Sequence, residues 1–272
     1  MRVSIAIPTF NGSRFISDTL ESVLDQTFSD FEVLVSDDGS TDDTLEIVRS
    51  YGDSRIRIVG DGGHLGAGGN WNRALTAANC EYVKLLPQDD LLYPQNLEVQ
   101  VAILDGNPEL AFVSVRRDVI DANGTVLTRD RGLDGLCGLR ERDEVRRAIV
   151  RSGTNQLGEG AAILMRRQAA DAAGSFDASL PYVIDVDFWV RLLDWGPGHG
   201  VCETHAAFRV STSAWSSALA KEQGRQYVAF IDRLAEGDNS AISGKDAMIG
   251  RARARLNGIA RRVFYVLYRR RL

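Results

Sequence analysis

Cysteine and histidine are both scarce, three of each in 272 residues. Cys80, Cys137 and Cys202 form an odd set without CxxC spacing, so neither a disulfide framework nor a structural zinc site is expected, and a reducing compartment fits better. His64, His199 and His205 lack metal-ligand spacing and read as ordinary surface or packing residues. No Ser/His/Asp or Cys/His arrangement stands out. No apolar run approaches the roughly 18 residues that a membrane span needs, and the stretch before Pro8 is too short for a signal peptide. A cytoplasmic protein is therefore expected. Linkers rich in proline, glycine or serine are missing, as are internal repeats, so the chain reads as one large domain or two closely joined ones. Basic charge is outweighed over most of it too. Net charge is −5, yet residues 251–272 hold eight arginines and no acid, which leaves the rest strongly acidic. An acidic body is a poor nucleic-acid binder, because duplex affinity rests largely on neutralising phosphates. No nucleic-acid partner is expected.

What is present is an alternation of strand and helix. Val3–Pro8, Phe31–Val35, Ile56–Val59, Glu81–Leu86 and Leu110–Val115 are short apolar runs that read as buried strands. Between them, Phe15, Ile16, Leu20, Val23 and Leu24 fall at helical spacing. Thr41 is placed to cap a second helix running to about Tyr51, a third spans about Asn70–Asn79, and a fourth starts near Pro94. Strands alternating with such helices indicate βαβ units, hence an α/β fold with a mostly parallel central sheet flanked by helices. From about residue 116 the alternation stops. Asn123-Gly124 signals a hairpin, residues 142–151 and 185–194 look helical, and 161–165 and 206–210 look extended. The predicted organisation is a first half over 1–115, a second half over 116–215 packed on the same sheet, and a helical extension with a basic tail over 216–272.

Ligands of such sheets bind beyond the carboxyl ends of the strands. Those ends carry Pro8-Thr9-Phe10-Asn11, Asp37-Asp38-Gly39-Ser40, a loop with six glycines over 60–69, and Gln88-Asp89-Asp90. Asp37-Asp38 reads equally as an Asx-type turn or as a carboxylate that binds a nucleoside. Adjacent Asp89 and Asp90 repel each other, a cost that a hard divalent cation relieves; the plain alternative is a helix start capped by Asp90. In Asp185-Val186-Asp187-Phe188-Trp189-Val190-Arg191, Asp185 shares a helical face with Phe188, Trp189 and Leu192 and could act as a partly desolvated general base. The plain alternative is a capping aspartate with an Asp187–Arg191 pair. The glycine loop fails GxGxxG, because position 71 is Trp71, and it follows the third strand rather than the first. That removes most support for a nicotinamide-dependent oxidoreductase. A flexible rim closing over a phosphate suits the loop better.

Taken in order, these pieces resemble family 2 glycosyltransferases of the GT-A fold. The resemblance runs through Val3–Asn11, Ser22–Phe28, Val35–Asp42, Gly66 and Asn72, Gly158-Glu159-Gly160, Met165-Arg166-Arg167, Gly174–Asp177, Asp185–Arg191 and Phe208-Arg209, ending near Ser213. It implies inverting transfer of a sugar from a nucleotide donor to a glycan or lipid-linked glycan hydroxyl, as in cell-envelope or polysaccharide synthesis. Asp38 would contact the nucleoside, with Pro8, Thr9 and Asn11 lining its pocket and Asn72 and Gln88 among the donor contacts. Asp89, with Asp90, would hold Mg²⁺ or Mn²⁺ on the donor diphosphate, and Asp185 would deprotonate the acceptor. The chain departs from the pattern at Pro87, where the family's metal motif usually has aspartate, and at Ser211, where histidine is frequent. A non-catalytic sugar-nucleotide or glycan-binding module is the alternative that the loss at 87 suggests.

The tail places Ile259, Val263, Phe264, Val266 and Leu267 on one helical face and Arg262, Tyr265 and Arg269 towards the other. Such a helix can lie on an anionic membrane, giving residues 256–272 a peripheral contact at the inner face; equally, it can pack on its own acidic body.

Overall fold

The computed structural model of the protein describes residues 1–60, 63–212, 215–236 and 241–268. The strands are β1 (Val3–Thr9), β2 (Phe31–Asp37), β3 (Ile56–Val59), β4 (Tyr82–Leu85), β5 (Leu91–Leu92), β6 (Phe112–Ile120), β7 (Val126–Arg131), β8 (Gly138–Arg140), β9 (Ile163–Arg166) and β10 (Gly198–Arg209). The helices are α1 (Ile16–Leu24), α2 (Thr44–Ser50), α3 (Gly66–Ala77), α4 (Asn96–Gly106), α5 (Arg142–Ser152), α6 (Arg167–Ala173), α7 (Ile184–Leu192), α8 (Trp215–Ala218), α9 (Gln223–Glu236) and α10 (Gly244–Tyr268). One sheet runs in the order β3-β2-β1-β4-β9-β6-β10-β5, with β7 on β6 and β8 on β10. Pairings β2–β3, β1–β2, β1–β4 and β6–β10 are parallel, whereas β9 lies antiparallel between β4 and β6. Strands β1, β2, β3, β4, β6 and β10 therefore point the same way, and their carboxyl ends share one rim with the amino end of β9. The predicted α/β fold with a central sheet flanked by helices is borne out; the sheet is less parallel than expected, because β5, β7, β8 and β9 all pair antiparallel with their neighbours.

Every residue of β1 is buried, because helices cover both faces of the sheet. On α1 the buried positions Ile16, Leu20 and Val23 recur at helical spacing, as the sequence predicted. Several local expectations need correction. Helix α3 begins at Gly66, so half of the glycine loop is helical; of that loop, residues 61 and 62 lie outside the described residues. Thr41 precedes α2 by three residues, and it is the Asp42 carboxylate that accepts the Thr44 N–H (3.1 Å). Asp90 caps no helix: Leu91–Leu92 pair with β10 as a short strand and α4 starts only at Asn96. Cys137 and Cys202, expected to be unpaired, form a disulfide with Cα atoms 5.6 Å apart. Antiparallel pairing of β8 with β10 brings them together across 65 residues, a separation at which no spacing rule operates.

The C-terminal helices pack on the second half. Gly250 passes so close to α5 that a Cβ there would lie 2.2 Å from the Val150 carbonyl oxygen. Asn257 Nδ2 donates to the Ser152 and Gly153 carbonyls (3.1 and 3.0 Å), which α5 leaves unsatisfied at its end. Among the described residues no helix is long and apolar enough to cross a membrane.

Candidate active site

The site is built on the shared rim. At the end of β2, Asp37 spends its carboxylate on the turn, accepting the Gly39 and Ser40 N–H groups (3.1 and 2.9 Å) and the Ser40 hydroxyl (2.5 Å). Asp38, only 1% exposed, accepts the Leu65 N–H (2.7 Å) and faces His64 Nδ1 at 3.0 Å. His64 is a surface side chain, as expected, and also lies 4.9 Å from the ring of Phe10, itself 44% exposed. Pro8 and Thr9 are buried in β1, and the Thr9 carbonyl takes the Asp38 N–H (2.9 Å) and Asn70 Nδ2 (3.1 Å). Asn11, in the left-handed region at φ 47°, accepts the Thr41 N–H at 2.8 Å. Pro8, Thr9, Asn11 and Asp38 therefore meet at one corner of the rim.

Two expected donor contacts have other partners. Gln88 forms a two-bond clamp with the Phe10 backbone, Oε1 accepting its N–H (2.9 Å) and Nε2 donating to its carbonyl (3.2 Å). Asn72 does the same with Phe176, Nδ2 donating at 3.1 Å and Oδ1 accepting at 2.7 Å. Each amide thus spends one donor and one acceptor on holding the rim together.

Two strands along from β2, beyond β4, a cavity of about 530 Å³ opens, lined by both Asp89 and Asp185. Asp38 is not among its lining residues and sits at a neighbouring corner of the rim. Asp185 stands in the first turn of α7, whose Phe188 and Trp189 are fully buried; Trp189 Nε1 anchors the helix on the Gly158 carbonyl (3.0 Å). Burial, and after it the charge of Glu159, pushes the Asp185 carboxyl up to about 7, while its bond from Asn155 Nδ2 (2.9 Å) and the charge of Arg117 pull the other way. Glu159 stays ionised despite burial, because Arg117 grips it with Nε at 2.5 Å and a second nitrogen at 3.2 Å. A glycine makes this possible: a Cβ on Gly160 would sit 2.0 Å from the Leu85 carbonyl oxygen, so only glycine lets the chain press Glu159 against the end of β4.

Asp89 and Asp90 divide their work. Asp89 faces the cavity, and burial raises its carboxyl against the charge of Arg209. Asp90 is fully buried beneath it, raised by burial and then by Asp89; its Oδ1 accepts the Arg209 N–H at 2.9 Å. Its Oδ2 is buried with no hydrogen-bond partner among the described residues. Arg209 itself is 1% exposed, bonds the Asp89 carbonyl (2.9 Å) and pairs with Asp18 at 2.8 Å. Among the described residues no group of three or more ligating side chains gathers. The pair still fits a hard divalent cation, since Mg²⁺ usually takes one or two protein carboxylates and completes its shell with water and substrate phosphate.

Arg117, Asn155, Glu159, Tyr182, Tyr227 and Arg261 complete the walls, and sequence reading assigned a role to none of them. Glu159 lay in the Gly158-Glu159-Gly160 stretch, which was the one available signal. The Asp187–Arg191 pair, expected as the plain alternative for α7, is present at 3.0 Å alongside the cavity-facing Asp185.

An open α/β sheet with aspartates at its carboxyl rim is a fold class in which ligands bind beyond the strand ends. The profile described as glycosyl transferase family 2 matches residues 4–174, and the chain belongs to that family. It is 35% identical over 124 residues to the UDP-Glc:alpha-D-GlcNAc-diphosphoundecaprenol beta-1,3-glucosyltransferase WfgD of Escherichia coli, covering 46% of this chain and 49% of that protein. TarS of S. aureus, solved as residues 1–349 with UDP-GlcNAc, superposes with a TM-score of 0.70 at 18% identity, covering 95% of this chain and 72% of that one. The mannosyltransferase PcManGT of Pyrobaculum calidifontis, solved with GDP-Man and Mn²⁺, gives 0.68 at 18% identity, covering 98% and 75%. At such identities these two structures establish the GT-A fold alone. The chain spans about a third to three-fifths of the length of the first curated relatives it matches.

Proposed function

We propose that this protein is an inverting glycosyltransferase that moves a sugar from a nucleotide-sugar donor to a hydroxyl acceptor, with Asp185 as general base. The observation that carries the reading is that Asp89 and Asp185 line one cavity in a family 2 chain. Asp38 and Phe10, at the neighbouring corner, supply a buried carboxylate and an exposed ring for the nucleoside, and Pro8, Thr9 and Asn11 shape that corner. Asp89, backed by Asp90, would hold a Mg²⁺ or Mn²⁺, whose Lewis acidity offsets charge on the departing nucleoside diphosphate. Asp185 takes the acceptor proton as the hydroxyl attacks the anomeric carbon from the face opposite the leaving group, which inverts that centre. Asn155 fixes the carboxylate, and the Glu159 charge, only partly offset by Arg117, keeps the base basic. The direct test is nucleoside diphosphate release from a panel of uridine, guanosine and thymidine diphosphate sugars with Mn²⁺, with the product anomer read by NMR. Retention at the anomeric carbon, or no donor consumed across the panel, overturns the reading.

The elevated Asp185 carboxyl gives this base a pH signature. Only its ionised form accepts a proton, so kcat/KM should fall as pH drops through about 7 and level off above it. Glu159→Gln removes a negative neighbour and should move that acid limb to lower pH. A limb that stays put in the variant would dissociate Glu159 from the base.

The outer side of α10 supports a reading of acceptor and place. Met248, Leu256, Ile259 and Val263 are 62%, 64%, 51% and 50% exposed along its outer side, beside Arg255 and Arg262. Phe264, expected on the same face, instead lines the cavity. The side chains of Val266 and Leu267, and all of Arg269, Arg270 and Arg271, lie outside the described residues. The inner side does pack on the body, through Arg151–Asp246 and Arg251–Asp232 pairs, both at 2.6 Å. An apolar stripe edged by arginines suits an anionic bilayer, so the protein would act at the inner membrane face on a glycan or lipid-linked glycan. Leu256→Glu with Ile259→Glu should cut co-sedimentation with phosphatidylglycerol vesicles roughly tenfold or more, since each substitution removes an exposed apolar side chain that would enter the bilayer. Unchanged sedimentation would exclude this contact.

A further inference from the structure

Beyond the profile match, which ends at residue 174, α9 and α10 supply one wall of the cavity through Gln223, Tyr227, Asn257 and Arg261. Gln223 and Tyr227 stand one helical turn apart on α9 and are 4% and 2% exposed. Gln223 Oε1 and the Tyr227 hydroxyl are both buried with no hydrogen-bond partner among the described residues. Two orphaned polar atoms on one helix face cost stability unless something fills the space before them. Arg261 enters from α10 and bonds the Tyr182 hydroxyl, with its guanidinium 5.6 Å from the Tyr182 ring centre and 6.0 Å from that of Tyr265. No carboxylate among the described residues lies within 4.0 Å of it, and nearby Glu159 is already paired with Arg117. Among the described residues the cavity therefore holds a cation with no ion pair of its own, although it feels the charge of Glu159.

We propose that Arg261, Tyr227 and Gln223 form a subsite for a phosphate-bearing acceptor, with Arg261 on the phosphate and the α9 side chains on the adjoining sugar. The inference rests on the transferase reading above and names the acceptor class for that same cavity. Guanidinium is the side chain whose planar fork matches phosphate, and partial burial strengthens the pairing. Its surroundings assign it to the acceptor side. Arg261 feels Glu159 and Tyr182, which adjoin Asp185, whereas the cation that acts on Asp89 is Arg209. The Tyr227 hydroxyl offers a donor and Gln223 Oε1 an acceptor, the pair of functions that a sugar hydroxyl satisfies together.

Titration calorimetry with the full chain, saturated with nucleoside diphosphate and Mn²⁺ so that the donor site is filled, tests this with glucose 1-phosphate and methyl glucoside as probes. Wild type should bind the phosphate ester roughly tenfold or more tightly than the neutral sugar, the scale of one charge-assisted contact. Arg261→Gln should abolish that preference, and Arg261→Lys should keep part of it because the charge remains but the fork is lost. Tyr227→Phe should weaken both probes alike. Equal binding of the two probes by wild type overturns the subsite without recourse to any variant. A loss of nucleoside diphosphate affinity in Arg261→Gln, with the probe preference intact, overturns it too, by assigning the cation to the donor. If wild type binds no nucleoside diphosphate at all, it is the transferase reading that falls.

Discussion

Asp185→Asn lowers kcat roughly 10³-fold and leaves the affinity for nucleoside diphosphate within about twofold, the outcome expected of a base that acts only in the chemical step. The substitution is nearly isosteric, and the amide can still accept the Val186 N–H that Asp185 now takes at 2.7 Å, so α7 keeps its place. What it removes is the lone pair that receives the acceptor proton. Burial beside Glu159 is what tunes this carboxyl to about 7, where it is basic enough to accept a proton and yet about half ionised in neutral solution. A non-catalytic sugar-nucleotide or glycan-binding module would show no turnover to lose. Equal kcat in variant and wild type would remove Asp185 from the mechanism and restore the plainer view of it as the opening residue of a helix.

Asp89→Ala, or exhaustive chelation of wild type, is expected to reduce turnover roughly 10²- to 10³-fold, because a divalent cation supplies several kcal/mol of stabilisation to charge on the leaving diphosphate. Asp89 is the carboxylate that lines the cavity, and Pro87 supplies no second one where the family pattern has aspartate. Mn²⁺ added back should rescue chelated wild type but not the variant. Asp90→Asn reads differently. Its Oδ1 holds the Arg209 N–H, and Arg209 in turn bonds the Asp89 carbonyl, so that variant should lower thermal stability as well as activity. Full activity after chelation would end the metal assignment and leave Arg209 as the cation beneath the two carboxylates.

Much of the architecture was visible in residue order. Buried runs such as Val3–Thr9 and amphipathic spacing such as Ile16, Leu20 and Val23 are local signals, and the hairpin at Asn123-Gly124 appears with Gly124 at φ 78°. Asp89 and Asp185 were singled out because one follows a strand and the other opens a helix with an aromatic face. The roles of Asn72 and Gln88 were not legible. A side-chain amide looks the same in sequence whether it meets a ligand or, as here, the backbone of a residue 104 or 78 positions away. Arg261 was hidden in a run of eight arginines, and only the packing of α10 on α5 and α9 turns this one towards the cavity.

Periodicity and turn chemistry act over a few residues, so the chain order alone settles which segments are strands, which are helices, and that polar residues end the strands. Whether Asp38, Asp89 and Asp185 share a pocket depends on strand order and on how tightly two backbones approach. The sheet sequence β2-β1-β4-β9 sets Asp38 at its own corner, two strands from Asp89. The contact allowed by Gly160 brings Glu159, Asn155 and α7 down onto the end of β4. Long-range packing made those choices, because each depends on distances between residues that no local pattern encodes.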